Sequence, residues 1–275
     1  MVFNSELKEP MEFPQIDPVI FQIYGPIGLN WYGLMYLAGF AGAWFLGVSR
    51  SKLAGSPFTA EQVSDFLYYA FLGVIVGGRL GYVLFYDFGT FLDDPIYLFK
   101  IYDGGMSFHG GLLGVIVSFW YFARKTKKSF ATVADFFAPM APIGLATGRF
   151  GNFINGELWG RATDVESVPW AMVFPKADEL YRHPSQLYEC FLEGILLFII
   201  LYFYSKKPRP AMAVSGLFLI GYGAFRFIVE YYREPDEHLK EMAEFISMGQ
   251  LLSLPMIIAG IVFMVWTYKK NNTQN

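Results

Sequence analysis

The stretch Gly148-Arg-Phe-Gly-Asn-Phe-Ile-Asn-Gly-Glu-Leu-Trp-Gly-Arg161 follows directly on an apolar run, residues 131–149, that is long enough to lie in a bilayer. Two arginines, two asparagines and a glutamate thus stand at the end of a candidate membrane span. Charge at membrane depth is costly unless a partner compensates it, so such an arginine reads as a functional-site candidate by default. The segment decides the class of fold and also where its chemistry is to be sought.

Working outward from it, the 275-residue chain is 54% hydrophobic and 19% aromatic but only 16% charged. A soluble domain carries about 25% charged residues. Several further apolar runs approach the roughly 20 residues that a spanning helix needs. The expected fold is an all-α polytopic membrane protein of about seven transmembrane helices, drawn at about 27–48, 66–86, 107–123, 131–149, 186–204, 211–230 and 247–268. Gly110, Gly111 and Gly114 dilute the third run, and Pro139 and Pro142 interrupt the fourth. Both are tolerated where neighbouring helices or a cavity satisfy the freed backbone groups. The whole chain, 1–275, is read as one integral membrane domain, with residues 150–185 forming a small outward-facing cap. A single cysteine, Cys190, excludes an internal disulfide, a thiol relay and a cysteine-built metal site. No metal, cofactor or nucleic-acid partner is expected. Met1 to Pro18 is polar and acidic, without the basic and apolar regions of a cleavable signal peptide.

Basic residues set the expected orientation. Arg50 and Lys52 follow the first span, Arg124, Lys125, Lys127 and Lys128 the third, Lys206, Lys207 and Arg209 the fifth, and Lys269 and Lys270 the seventh. The alternate loops carry Asp87, Asp93, Asp94 and Asp103, or Glu234, Asp236, Glu237 and Glu241. Positive charge marks the cytoplasmic side, which puts the N-terminus outside and the C-terminus in the cytoplasm.

Threaded through that topology, the unusual polar residues fall together. Arg149 ends an outward-running span, Arg79 lies in the outer half of another, and Tyr222, Arg226 and Glu230 share one face of a third at i, i+4, i+8. Tyr32, His109 and the His183/Glu189 region begin the inward-running spans. All belong to the outer half of the bilayer. Three arginines among apolar residues suit an anionic phospholipid headgroup, because guanidinium presents a fixed fork of donors and stays charged when desolvated. Asn152 and Asn155 add amide groups, and His109 before Gly110 and Gly111 can exchange a proton beside a backbone that substrate can approach closely. Structural readings stand beside these. Arg226 and Glu230 form a helical pair, Arg79 shares its helix with the packing stripe Gly73, Gly77 and Gly81, and Tyr32 joins Trp31 in an interfacial belt. His183 before Pro184 orders the cap, and Arg161 pairs with Glu157 or reaches solvent. Arg149 with Asn152 is the hardest pair to explain structurally.

Four segments carry a family resemblance: Gly105-Met-Ser-Phe-His-Gly-Gly111, Gly148 to Arg161 as quoted, His183-Pro-Ser-Gln-Leu-Tyr-Glu189 and Arg226-Phe-Ile-Val-Glu230. In order and across essentially the whole chain, they resemble bacterial prolipoprotein diacylglyceryl transferases. The resemblance implies an enzyme of the bacterial cytoplasmic (inner) membrane with its active site toward the outer leaflet. It would move the diacylglyceryl group of phosphatidylglycerol onto the lipobox cysteine thiol of a prolipoprotein signal peptide and release glycerol phosphate. Carried over by motif, the family's important positions fall on Tyr32, His109, Arg149, Asn152, Glu157, Gly160, Tyr222, Arg226 and Glu230. Within that reading Arg149 and Arg226 bind the phosphate, Tyr222 and Asn152 position the headgroup, and His109 is the candidate base. Arg79, Tyr32, Glu157, Gly160 and Glu230 line the substrate site. The substrate peptide brings the nucleophile, so Cys190 need not serve. A lipid or anion transporter is the rival reading, and the apolar inner halves of the spans argue against it. A scaffold role is a third reading.

Overall fold

Each predicted apolar run is helical in the computed structural model, which describes residues 11–24, 27–101, 104–235 and 246–272. The chain divides into two compact units, Trp44–Phe137 on one hand and Met1–Ala43 with Ala138–Asn275 on the other.

Strand β1 (Met11–Glu12) comes first, then β2 (Val19–Tyr24) and β3 (Ile27–Asn30), which pair as an antiparallel hairpin. Helix α1 (Trp31–Ser51) follows without a break. The first span therefore begins at Trp31 and not near residue 27, because Ile27–Asn30 give their backbone groups to the hairpin. Asn30 Oδ1 accepts from the Gly33 N–H at 2.7 Å, which caps the helix start.

In the unit Trp44–Phe137, α2 (Ala60–Tyr86) starts six residues before the predicted 66. A reciprocal capping box between Thr59 and Gln62 extends the helix through a polar first turn that an apolar count passes over. Helix α3 (Phe88–Asp93) and a 3₁₀ turn (Pro95–Phe99) lead to α4 (Phe108–Thr126) and α5 (Phe130–Phe137). Helices α2 and α4 meet backbone to backbone: a Cβ on Gly81 would stand 2.7 Å from Gly110 Cα, and one on Gly77 3.0 Å from Gly114 Cα. Close approach through small residues is the usual solution where lipid removes the hydrophobic drive for helix association. Gly110 therefore serves this contact, and the space expected there for substrate is filled by α2. An aromatic cluster fills one end of the unit, with Phe66 stacked on Phe137 at 3.8 Å and edge-on to Phe122.

In the other unit a 3₁₀ turn (Ala138–Met140) precedes α6 (Ala141–Ile154). Pro139 lies in that turn and Pro142 in the first turn of α6, where no intrahelical N–H is needed. Strands β4 (Met172–Val173) and β5 (Tyr181–Arg182) join β1 in a sheet of order β1-β4-β5, over a core of Phe153, Met172 and Phe174 packed with Phe13, Trp159 and Leu187. Next come α7 (Ser185–Glu189), a π-helical segment (Cys190–Leu196) and α8 (Leu197–Tyr204), which together make one apolar span. Helices α9 (Ala213–Val229) and α10 (Met248–Asn272) complete the unit, and Leu197, Leu201, Val214 and Ala138 form its buried core.

Among the described residues, five segments are long and apolar enough to cross a membrane: Trp31–Ser51, Ala60–Tyr86, Phe130–Ile154, Ser185–Tyr204 and Met248–Asn271. Helix α9 is apolar but shorter, and α4 has 19 residues diluted by its glycines. The chain is a multi-pass α-helical membrane protein.

Candidate active site

The unit containing α6 and α9 gathers six charged side chains into one buried cluster. Arg149 projects from α6, Glu189 and Glu193 from the span Ser185–Tyr204, and Arg226 from α9, with Glu230 and Arg233 just beyond its end. Glu189 is fully buried and bridges the two arginines: its Oε2 lies 3.2 Å from Arg149 Nε, while Oε1 accepts from Arg226 Nη1 in a short contact. Glu193, also fully buried, stands 3.9 Å from Arg149 Nη2 and 3.9 Å from Arg226 Nη1. Arg226 Nη2 contacts Glu230 at 2.7 Å, and Arg233 Nε approaches Glu189 at 4.0 Å. Tyr222, one turn before Arg226, lies within electrostatic reach of Glu193, Arg149 and Arg226.

Local sequence explains how the cluster forms. Glu189 and Glu193 are spaced i, i+4, but the chain between them passes into a π turn, a feature that recurs at functional sites. Gly194 follows at once, and a Cβ there would stand 2.5 Å from that of Ala146. The absence of a side chain lets the π segment press against α6 and brings Glu193 to Arg149. Glu230 is seated against α10: a Cβ on Gly249 would meet its Cδ at 2.6 Å. Among the described residues, three guanidiniums face three carboxylates, so this part of the cluster balances its own charge. Such balance makes burial tolerable, because removing one partner of a buried pair costs about 3–5 kcal/mol.

A second network sits one turn along α6. Asn152 Nδ2 donates to Glu157 Oε1 at 2.9 Å, and Asn155 Nδ2 reaches the same oxygen at 3.3 Å. The Tyr32 hydroxyl hydrogen-bonds Tyr36, 3.2 Å away, and lies within electrostatic reach of Asn152 and Glu157. Its ring lies over Gly151, where a Cβ would approach Cδ2 to 3.0 Å. Gln186 Nε2 holds the Glu157 carbonyl at 2.7 Å, so the loop after α6 is tied to α7.

Gly160 is where three loops cross. A Cβ there would stand 2.5 Å from both the His183 and Tyr232 carbonyls. Its N–H donates to His183 O at 2.9 Å, and its carbonyl accepts from Arg182 Nη1 at 3.0 Å. Arg182 also pairs with Asp178 at 2.6 Å and Glu234 at 3.4 Å, and holds the Asp178 carboxyl below its usual range. His183 packs on Tyr188 and Tyr232, and burial lowers its pKa. Arg161 donates from Nε to Arg233 O at 3.1 Å, while Glu157 takes the two asparagines, so the expected Arg161–Glu157 pairing is not the one formed.

In the unit Trp44–Phe137, Arg79 is buried and its guanidinium is engaged by backbone: Nε donates to Leu98 O at 3.1 Å, Nη2 to Tyr97 O at 2.5 Å, and Nη1 to Gly104 O at 2.5 Å and Gly105 O at 3.2 Å. It also lies over the Tyr97 ring at 4.5 Å. His109 is exposed in the first turn of α4, beside Phe108 and two residues after the Ser107 cap.

Sequence reasoning named Arg149, Arg226, Tyr222 and Glu230 of the ionic cluster and missed Glu193 and Arg233. The signal was present: two glutamates four residues apart inside an apolar run require buried cations, and two were already in hand.

A profile of the family described as prolipoprotein diacylglyceryl transferase matches residues 18–266. A protein of Aliivibrio salmonicida is 60% identical over 261 residues, covering 95% of this chain and 91% of its own length. One of Vibrio cholerae is 60% identical over 265 residues, covering 96% of each chain. One of Pseudoalteromonas atlantica is 61% identical over 264 residues, covering 94% of this chain and 92% of its own. All three are named phosphatidylglycerol–prolipoprotein diacylglyceryl transferase. With that identity spread over nearly its full length, the chain belongs to the prolipoprotein diacylglyceryl transferase family.

Proposed function

We propose that Arg149 and Arg226 form the phosphate cradle of this transferase, which moves the diacylglyceryl group of phosphatidylglycerol onto a prolipoprotein. One observation carries the reading: a single carboxylate, Glu189, is bridged by guanidiniums from two different helices. Two donor forks that converge on one carboxylate can converge on one phosphate, which offers the same bidentate geometry.

The acceptor is the lipobox cysteine thiol of the prolipoprotein. Its sulfur attacks the glycerol carbon, a C–S bond forms, and the bond from that carbon to the phosphate oxygen breaks. The thiol proton passes to a base, for which His109 is the proposed group, and glycerol phosphate leaves with the bonding electrons. Negative charge grows on the leaving phosphate, where fixed cations in a water-poor site contribute most; losing one such donor typically costs about 10²–10³ in rate. The Tyr32–Asn152–Glu157 network is proposed to hold the glycerol headgroup, with Tyr222 beside the phosphate and Gly160 and Glu230 maintaining the walls. Arg79, with its donors on carbonyls, is proposed as a clamp on the loop after α3. The proposed topology of about seven crossings has this site toward the outer leaflet of the cytoplasmic membrane, with the N-terminus outside and the C-terminus inside, a reading the basic loops support.

The test is direct. Full-length protein in detergent micelles, given phosphatidylglycerol and a lipobox peptide, should yield thioether-linked lipopeptide and glycerol phosphate. A preparation that binds lipid yet makes no lipopeptide would overturn the assignment. A His109→Gln variant with full activity and an unchanged pH–rate profile would remove His109 as the base.

A further inference from the structure

Glu193 is the least firmly held carboxylate of the cluster. Its side chain is fully buried, and neither oxygen accepts a hydrogen bond from any described residue. Its two nearest cationic groups, Arg149 Nη2 and Arg226 Nη1, stand off at 3.9 Å. Glu189, by contrast, is bridged at close range by the same two arginines, and Glu230 lies 2.7 Å from Arg226 Nη2. Glu189 on its own span, Arg149 from α6, and Tyr222, Arg226 and Arg233 from α9 and the turn beyond it are the groups that act on Glu193.

Among the described residues the cluster sums to zero, with three guanidiniums and three carboxylates. A lipid phosphate adds one negative charge, and on the phosphate reading above it does so at the two arginines that also balance Glu193. Those guanidiniums gain far more from a phosphate at hydrogen-bond distance than from a carboxylate at 3.9 Å. Glu193 is then left in the interior with no hydrogen-bond donor and only the more distant Arg233 as a cation, a state in which a carboxylate neutralises itself by binding a proton. We infer that Glu193 is a resident anion that keeps the arginine pair neutral in the free enzyme, and that it takes up one proton as phosphate replaces it. The proton comes from solvent and forms an O–H bond on the carboxyl; no bond of the lipid changes in this step. The neutral acid gives the site a hydrogen-bond donor facing the phosphate and restores a total charge of zero.

The experiment is a calorimetric titration of the full-length protein, in nanodiscs of zwitterionic lipid, with dioctanoyl phosphatidylglycerol in two buffers of different ionisation enthalpy. Wild type should take up close to one proton per lipid bound, and its affinity should weaken as pH rises, by up to about tenfold per unit. Glu193→Gln should bind several-fold more tightly, with no uptake and a flat pH profile. An infrared difference spectrum of wild type should show a protonated carboxyl C=O band on lipid binding, which tests the inference without any variant. Binding by wild type with neither uptake nor band overturns it, as does undiminished uptake in Glu193→Gln. If Arg149→Lys binds the lipid as tightly as wild type, the phosphate reading itself fails, and this inference with it.

Discussion

Arg79 and Arg149 both sit on apolar helices, yet their guanidiniums are held in opposite ways. Arg79 donates to the carbonyls of Tyr97, Leu98, Gly104 and Gly105, neutral partners that belong to the backbone and cannot leave without unfolding the loop. Arg149 faces Glu189 and Glu193, side chains whose charge can be balanced differently when another anion arrives. A buried arginine tied to carbonyls reads as architecture. One tied to Glu189 and Glu193, at the edge of a π segment and within it, faces side chains whose partners can change.

The strongest way to break this contrast is to remove a fork from the cluster. Arg149→Ala should lower diacylglyceryl transfer by about 100-fold or more while the protein still inserts in the membrane. Because the deletion leaves buried carboxylates short of a cation, Arg149→Lys is the companion: it keeps the charge, loses the bidentate fork, and should still fall well below wild type. Near-wild-type transfer by purified Arg149→Ala would end the phosphate role.

Arg79→Gln should behave differently. Each carbonyl left unsatisfied costs about 1–3 kcal/mol, so the melting temperature in detergent should drop, while turnover per folded molecule stays near wild type. A variant that melts normally but no longer transfers would place Arg79 at the substrate and erase the contrast.

Gly160→Ala should come next, at about 1–3 kcal/mol of destabilisation, since the new methyl meets two carbonyls at 2.5 Å. Thermal melts would register it, and a neutral result would mean that the loops yield.

The smallest effect belongs to the cap. Burial lowers the pKa of His183, so the unfolded chain binds a proton more readily there; stability is full above about pH 6.5 and declines as pH falls below it. Arg182 holds Asp178 below its usual range, so that contribution is present above about pH 3.9 and fades on further acidification through the folded value. Asp178→Asn should flatten the lower step of melting temperature against pH and leave the upper one.

How much of this was legible beforehand depended on the kind of partner involved. Apolar length located the long helices, because lipid exposure leaves long hydrophobic stretches behind, but not α3 or the 3₁₀ turn Pro95–Phe99 between them. The start of α1 was missed since Ile27–Asn30 are as apolar as the helix after them but pair with β2. The start of α2 was missed since its first turn is polar and held by a capping box. Arg149 and Arg226 stood out as charges in apolar surroundings. The partners of Arg79 did not, because a backbone carbonyl leaves no trace in residue identity. The role of Glu193 depended on a π turn, which has no clear residue signature.

That turn has a consequence for the chain's register. A π segment holds one more residue per turn than the α-helix around it. Deleting a single residue within Cys190–Leu196 would let the segment close to regular α pitch, and the tighter winding would offset the lost residue. Leu197 and Leu201 would keep their places against Ala138 and Val214, while Glu193 would turn relative to Arg149. The surplus residue is absorbed locally, so the aim of the charged half can change without disturbing the greasy half of this span.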